Sequence, residues 1–230
     1  MKLRTDFVTN SSSSSFVYIS VKSETLKKIS AERIHTELVK LLVSPHPQYL
    51  KTAWQLGITR VVLPEFDAMM ETGQNNPHHC YTVGEHTLKA LESVCADRVL
   101  RLAVLFHDMG KPEKRSTDEM GIDHFYGHQK ASEEIARRIL RRLRFDNDTI
   151  AAVTKLVLWH ECPWECTPCS VRKALNKTGA ELFPMLLEIR HADLMAQSTY
   201  KREEKLQKLL ESRRLYEEIM EKQECISLKT

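Results

Sequence analysis

The sequence predicts an all-α protein, a bundle of helices that ends in one long charged helix. Only 7 of its 230 residues are glycine and 8 are proline. Apolar residues recur every three or four positions over long stretches, and strands do not alternate with helices. With 42% hydrophobic residues, the chain can form one compact domain with an extension, or two small domains.

Composition limits the class of protein. No apolar run approaches the roughly 18 residues that a membrane-spanning helix needs, and no apolar core follows Lys2 and Arg4 as it would in a secretory signal. We therefore expect a cytoplasmic protein with no membrane partner, whose six cysteines are thiols rather than a disulfide framework. The net charge of +3 permits nucleotide or RNA binding without arguing for it.

Residues 1–29 differ from the rest of the chain. The serine run Ser11–Ser15 cannot bury enough apolar surface to order itself, so we expect a flexible segment. The following "FVYISV" alternates weakly, like a single edge strand.

Residues 30–77 predict two helices and a polar turn segment. The first helix spans Ser30 to Leu42, with Ser30 as its N-cap, and the second spans Pro47 to Leu56 and stops at Gly57. Pro64 breaks a short apolar piece, and we expect residues 65–77 to be a polar segment that turns at its end.

Residues 78–200 predict the main helical region. Its helices are expected at about 82–95, 97–107, 127–143, 148–160, 170–176 and 182–198, with a charged loop over 110–126. Residues 201–230 carry the trailing charged helix, whose apolar stripe consists of Leu206, Leu209 and Leu210 and, further on, Tyr216 and Ile219. Its mixed charges are typical of a packing helix or a homodimer contact.

The stretch "LRLAVLFHDMGKP", residues 100–112, places His107 and Asp108 together at the end of an apolar helix. A polar pair in that position is costly to bury unless a partner satisfies it. The stretch by itself leaves two interpretations open. The pair is either an exposed helix end, with Gly110 as cap and Lys111 at the helix dipole, or a nitrogen and an oxygen offered to one cation.

Three further polar side chains extend apolar stripes of other helices, and a fourth begins a helix. His86 shares a stripe with Val83, Ala90 and Val94, and His160 continues the stripe of Val153 and Val157. Asp193 follows Ile189 by four residues, and His128 opens a helix of its own. Burying all of these with His107 and Asp108 would be unfavourable without a shared partner, and imidazole with carboxylate suits a divalent metal ion.

The order His86, His107-Asp108 and Asp193 resembles the HD superfamily of metal-dependent phosphohydrolases, and the contexts "HDMGKP" and "EIRHAD" fit it. The resemblance implies one or two divalent ions (Mn, Ni, Co, Fe, Mg or Zn). It implies metal ligands at four positions: His86, His107, Asp108 and Asp193. It also implies that Asp108 orients or deprotonates a water, that His128 and His160 hold a second metal or contact phosphate, and that Lys111 and Arg172 face the phosphate.

The likeness extends to bacterial tRNA nucleotidyltransferases. "RIHTELVKLLVSPHPQYLKTAWQLGITRVVLPEF" is similar to their neck helices, and "HHCYTVGEHTLKAL" with "RLAVLFHDMGKP" to their HD region, so the resemblance covers about residues 30–200. Those enzymes carry an N-terminal catalytic domain with a Gly-Ser element and paired aspartates. We expect no such domain in the roughly thirty residues before the neck. Asp146-Asn147-Asp148 starts a helix, where N-capping explains it.

These features predict a metal-dependent phosphohydrolase. Its substrate would be a nucleotide or an RNA-derived phosphodiester, conceivably a 2′,3′-cyclic phosphate, as the resemblance implies. The alternative is a non-catalytic RNA- or nucleotide-binding module.

Two other patterns are weaker. Cys162, Cys166 and Cys169 have the spacing of some iron–sulfur sites, but the absence of strand–helix alternation favours plain loop thiols over a cluster or a zinc site with His160. A basic face could bind RNA, but Glu133 and Glu134 precede its first arginines by four residues and favour ion pairs within the helix. The arginines of that face are Arg137, Arg138, Arg141, Arg142 and Arg144.

Overall fold

The computed structural model describes residues 7–8, 16–17, 23–162 and 165–227, and it is predominantly helical, as the sequence predicts. The neck region (residues 30–77) is preceded by helix α1 (Ser23–Leu26). It contains α2 (Ala31–Val43), a 3₁₀ turn (Pro47–Tyr49), α3 (Leu50–Gln55), α4 (Thr59–Val62) and α5 (Pro64–Glu71). The HD region (residues 78–200) contains α6 (Val83–Glu92), α7 (Arg98–Phe106), α8 (Lys111–Lys114), α9 (His128–Arg142), α10 (Asn147–Trp159), α11 (Pro168–Thr178) and α12 (Phe183–Ala196). Helix α13 (Arg202–Ser227) follows.

The described strands form two short antiparallel pairs. β1 (Phe7–Val8) pairs with β2 (Phe16–Val17), which falls within the predicted "FVYISV" strand. The serine run Ser11–Ser15, for which we predict flexibility, lies outside the described residues. β3 (Ser116–Thr117) pairs with β4 (Asp123–His124) inside the segment for which a charged loop is predicted.

Side-chain caps set the starts of several helices. Ser30 accepts a hydrogen bond from the Arg33 amide, as the sequence predicts for the first neck helix. Asp146 accepts one from the Thr149 amide, so this aspartate does act as an N-cap. Gly57 adopts a left-handed φ of 70° just after α3, where a residue with a side chain would be strained.

The prediction of a polar turn segment over residues 65–77 is wrong for its first half, which forms helix α5. Pro64 occupies the first helical position, where its missing N–H costs nothing, so it starts this helix rather than only ending the previous one. Phe66, Met69 and Met70 lie at helical spacing and are buried in the core.

Helix α7 lies at the centre of the fold, and residues 100–106 are all buried. It packs against α2, α6, α9, α10 and α12. Arg101 near its start is 6% exposed and donates hydrogen bonds to the carbonyls of Leu42, Val94 and Cys95. These bonds satisfy a buried guanidinium and fasten the neck helix α2 to the HD region.

Helix α13 packs along α11 and α12. Of the predicted stripe, Ile219 is buried together with Leu215, and Leu209 and Tyr216 are half-buried against the core. Leu210 is exposed, so the prediction is wrong at that position. Within the described part of the chain, no helix is both long enough and apolar enough to cross a lipid bilayer.

Candidate metal centre

The polar pair that ends α7 lies in the interior of the protein. His107 and Asp108 are each 1% exposed, which excludes the interpretation of a solvated helix end. Asp97 caps the start of α7, and the apolar residues after it pack into the core, so the helix carries the pair inward. A buried histidine and carboxylate need partners, and other helices supply them.

The first group of candidate ligands contains the residues His86, His107, Asp108 and Asp193, from α6, the end of α7 and α12. One ligand atom from each lies within 4.8 Å of those of the others. His86 Nε2 lies 2.8 Å from Asp193 Oδ1, and His107 Nε2 lies 3.2 Å from Asp108 Oδ2. This arrangement brings together two nitrogens and two carboxylates from distant positions in the sequence.

The second group contains Asp108, His128 and His160, again within 4.8 Å of one another. His128 Nε2 lies 3.3 Å from Asp108 Oδ1 and 3.4 Å from His160 Nε2. Asp108 therefore belongs to both groups: Oδ2 lies near His107, and Oδ1 lies near His128.

The four histidine rings are oriented in the same way. In each, Nδ1 contacts a backbone carbonyl and Nε2 points into the cluster. The pairs are His86 with Ala196 (3.3 Å), His107 with Val104 (2.6 Å), His128 with Phe125 (2.8 Å) and His160 with Val157 (2.7 Å). Since a carbonyl only accepts, each Nδ1 carries a proton, and a neutral ring then has its lone pair on Nε2 for a metal ion.

Unsatisfied buried atoms show that these residues fit a metal ion. His107 Nε2 and Asp108 Oδ1 are buried and have no hydrogen-bond partner among the described residues. The other carboxylate oxygen, Asp108 Oδ2, lies 2.8 Å from Lys111 Nζ, close enough for an ion pair. Buried polar atoms without a partner are rare in a protein interior, and a cation that binds nitrogen and oxygen would satisfy both.

Burial and the neighbouring charges strongly shift the pKa values of the residues in the cluster. Burial opposes the charge of His107, but Asp108 and Asp193 outweigh it and raise the pKa of His107 to about 10. Burial raises the pKa of Asp108, but His107 and Lys111 outweigh it and hold that pKa well below its usual range. The pKa of His160 falls to about 4, chiefly because of burial. The carboxylates thus make the cluster a site for positive charge.

Lys111 is buried rather than exposed on a loop. It is 3% exposed, and its Nζ donates to Gln74 Oε1 at 3.0 Å and lies 5.4 Å from the centre of the Phe125 ring. Burial lowers the pKa of Lys111, but Asp108 and Glu161 outweigh burial and raise it. The ammonium group is therefore charged beside Asp108.

Gly110 allows α9 to approach the turn after α7. A Cβ at this position would lie 2.6 Å from the Ser132 amide nitrogen and 2.7 Å from the His128 carbonyl oxygen. The sequence pattern suggests Gly110 as a helix cap, but its φ of −86° is ordinary. The glycine is required here for close packing rather than for a left-handed turn.

A pocket of about 360 Å³ opens beside the cluster, between the end of α10 and the helices α12 and α13. Its lining includes His160 and Asp193 of the cluster together with three cations, Arg190, Lys205 and Lys208. Sequence reasoning missed Arg190, although it precedes Asp193 by three residues and therefore shares its helix face. Lys205 had no comparable signal, because its position depends on the packing of α13.

One further sequence candidate, Arg172, lies away from the cluster. It is exposed on α11 and is not among the residues that line this pocket, so the predicted phosphate contact finds no support in its position.

The cysteines and the basic helix face lie outside the candidate metal centre. Neither candidate ligand group among the described residues includes a cysteine, and no disulfide joins the described cysteines. Arg137 pairs with Glu133, and Arg142 pairs with Glu65. These pairs agree with an ion-paired helix surface.

Comparison with known domain families gives two matches. Residues 14–70 match the family described as the probable RNA and SrmB-binding site of polymerase A, and residues 78–216 match the HD domain family.

Curated proteins similar to the chain act on tRNA. The CC-adding tRNA nucleotidyltransferase of Thermus thermophilus is 36% identical over 184 residues, which is 75% of this chain and 41% of that protein. The A-adding tRNA nucleotidyltransferase of Deinococcus radiodurans is 32% identical over 169 residues, 70% of this chain and 38% of that protein. The chain thus spans about two fifths of the length of these relatives.

Proposed function

The chain belongs to the HD domain family, and on that premise we propose that it is a metal-dependent phosphohydrolase acting on a nucleotide or phosphodiester. One observation carries the proposal. Asp108 is a buried carboxylate whose two oxygens each lie beside a separate histidine group, and its Oδ1 has no hydrogen-bond partner among the described residues. A carboxylate in that setting is suited to bridging two divalent ions.

The proposed ligands of the first ion are the residues His86, His107, Asp108 and Asp193, and those of the second are Asp108, His128 and His160. The imidazole-rich donor set favours Mn, Fe, Co, Ni or Zn over Mg, which prefers oxygen ligands. Divalent ions bound there would lower the pKa of a water ligand and polarise a phosphoryl oxygen.

The other residues would orient the reactants. We assign to Asp108 the additional role of accepting a hydrogen bond from the attacking water, which turns a water lone pair toward phosphorus. The ion pair between Lys111 and Asp108, at 2.8 Å, supports a positioning role for Lys111, with Gln74 holding the ammonium from the other side. Glu161 lies 3.5 Å from His128 Nε2 and lines the pocket, where it could exchange protons with the departing oxygen.

We also propose that the substrate derives from RNA. The match of residues 14–70 to an RNA-binding family and the tRNA-directed names of the relatives support it. A phosphodiester at an RNA end, including a 2′,3′-cyclic phosphate, fits a metal site that opens to a polar pocket. We further propose a cytoplasmic location, which the absence of disulfides among the described cysteines supports.

A second candidate function is a non-catalytic module that binds RNA or nucleotides, and the match to the RNA-binding family favours it. The two proposals differ in what the metal site does. A binding module would take up RNA without turnover, whether or not metal is present.

The test is metal analysis followed by a hydrolysis screen. The full chain is stripped with a chelator, reloaded with Mn, Ni, Co, Fe, Zn or Mg, and assayed on mononucleotides, 2′,3′-cyclic nucleotides and short oligonucleotides. We expect metal-dependent release of phosphate or opening of the cyclic ester, abolished in His107→Ala. RNA binding with less than one equivalent of metal and no turnover would support the binding module instead.

A further inference from the structure

The proposed cleavage step gives no role to Arg190 and Lys205, two cations that line the pocket beside the metal centre. We propose that this pocket, lined by Arg190 and Lys205, binds a second phosphate group of the substrate, distinct from the one that is hydrolysed. The inference rests on the proposed function, since it names the class of substrate for the same site. That class is a nucleotide or RNA end that carries two phosphate groups.

Lys205 is held at a fixed distance from the metal centre. Its Nζ donates to Gln197 Oε1 at 2.9 Å and lies 3.2 Å from His78 Nδ1. The amide of Gln197 in turn donates to Asp193 Oδ2 at 2.9 Å. A single side chain, that of Gln197, therefore connects the pocket lysine to a candidate metal ligand. A phosphate bound by Lys205 would then lie at a fixed distance from a phosphate at the metal centre.

The charges of the pocket lining favour an anion. The charged residues of the lining are three cations, Arg190, Lys205 and Lys208, and two carboxylates, Glu161 and Asp193, so one positive charge is in excess.

Burial of Arg190 and Lys205 adds to the preference of the pocket for an anion. It lowers the pKa of Arg190, although Asp193 raises it, and it lowers the pKa of Lys205 in the same way. Both cations therefore lose hydration in the pocket, which strengthens their attraction for an anionic ligand. A planar guanidinium and an ammonium together suit the oxygens of a phosphate.

The size of the pocket also fits. Its volume of about 360 Å³ lies at the lower end of small-molecule sites, enough for part of a nucleotide. Leu194 and Leu209 contribute apolar surface to the same lining, which suits the sugar between two phosphates. The second phosphate could belong to a small bisphosphate or to the chain of an oligonucleotide, and the test separates these sources.

The test measures binding to the full chain in excess chelator, where hydrolysis cannot interfere. The probes are adenosine 3′-monophosphate, adenosine 3′,5′-bisphosphate and a dinucleotide with a 3′-phosphate, titrated by calorimetry. We expect both two-phosphate probes to bind about tenfold more tightly than the monophosphate, since one charge-assisted contact is worth about that factor. Tighter binding of the dinucleotide than of the bisphosphate would identify an RNA end as the source.

Variants assign the effect to the pocket. In Lys205→Met the preference for two phosphates should fall to within about twofold, and Lys205→Arg should restore it. Lys222→Met makes the same charge change at an exposed position of α13 and should leave the preference intact. Circular dichroism checks that each variant folds.

The outcomes separate the two proposals. Equal binding of one- and two-phosphate probes to the unmodified chain, or an unchanged preference in Lys205→Met, would overturn the second-phosphate site while leaving metal-dependent hydrolysis standing. A preference that depends on Lys205 in a chain without metal-dependent hydrolysis would support the anion site and refute the phosphohydrolase.

Discussion

The amide of Gly110 donates a hydrogen bond to Ser132 Oγ over 2.8 Å. This bond ties the turn that carries Asp108 to helix α9, which carries His128. The shared carboxylate therefore owes its position between the two histidine groups to a contact that only a residue without a side chain permits.

Replacing Gly110 tests this contact. In Gly110→Ala the new Cβ would lie 2.6 Å from the Ser132 amide nitrogen, so α9 must move away from α8. We expect a loss of about 1–3 kcal/mol in the free energy of unfolding and weaker metal binding, because Asp108 and His128 separate. Gly73→Ala is the matched control, since nothing lies within 4 Å of its Cβ. Equal melting temperatures for the two variants would contradict the packing argument.

Asp108→Asn removes the carboxylate shared by both groups. We expect metal binding to be lost at both, and the metal-free chain to lose about 3–5 kcal/mol because Lys111 remains charged and buried without its partner. The double variant Asp108→Asn/Lys111→Met should recover part of that stability but none of the metal binding. Metal content and thermal unfolding measure both, with the exposed Asp148→Asn as control.

The number of ions is tested by removing one histidine from each group. We expect two equivalents of metal in the unmodified chain, because two ligand groups meet at Asp108. His86→Ala and His128→Ala should each retain one, and activity should fall by about two orders of magnitude or more in both. One equivalent in the unmodified chain would refute the two-ion arrangement.

Metal affinity should rise with pH. The pKa of His107 is raised to about 10 by Asp108 and Asp193 against the effect of burial, so its ring is protonated at neutral pH and must lose that proton to bind a metal ion. Between pH 6.5 and 8.5 we expect the affinity for the first ion, whose ligands include His107, to rise about tenfold for each pH unit, with about one proton released as that ion binds. Calorimetry in buffers of different ionisation enthalpy measures both quantities, and pH-independent affinity would contradict the assignment.

The raised pKa of His107 also predicts how the stability of the metal-free chain, measured in chelator, depends on pH. The pKa of His107 is raised above its unfolded value of about 6.5, so its contribution is fully present below that pH and is lost as pH rises toward 10. The pKa of Asp108 is depressed, so its contribution is present above about pH 4 and is lost in acid. The pKa of His160 is lowered to about 4, chiefly by burial, so this ring opposes folding increasingly as pH falls below 6.5. We therefore expect the highest melting temperature near pH 6.5.

Two arginines provide a test of where the substrate binds. Arg190 lines the pocket and Arg172 is exposed on α11. We expect Arg190→Met to raise KM about tenfold or more, and Arg172→Met to leave it within about twofold. The opposite ranking would restore the role that sequence reasoning assigns to Arg172.

Much of the site could be predicted because its residues follow the periodicity of buried helices. His86, His160 and Asp193 extend apolar stripes, and adjacency alone joins His107 to Asp108. The same spacing could have found Arg190 and Gln197, which lie three residues before and four residues after Asp193. Gln74 and Lys205 could not be found in this way, because their places depend on how a loop and a separate helix pack onto the cluster.

The errors in the fold have local causes. Helix α5 was obscured by Pro64, which breaks a helix in its interior but begins one at its first position. In α13 the error is confined to Leu210, which is exposed, whereas Ile219 of the same predicted stripe is buried. A helix that mixes charges along its whole length offers several similar apolar stripes, and packing against α11 and α12 selects among them.

Helix α7 is joined to a different part of the protein at each end. Arg101 near its start binds the carbonyl of Leu42 at the end of α2, and the residue after its end is His107. The helix therefore connects the neck region directly to the metal centre. A ligand that orients the neck and an ion that holds His107 would bias the same rigid element, and thermodynamic linkage makes any coupling between them reciprocal. Metal titrations with and without RNA, and RNA titrations with and without metal, must then yield one and the same factor.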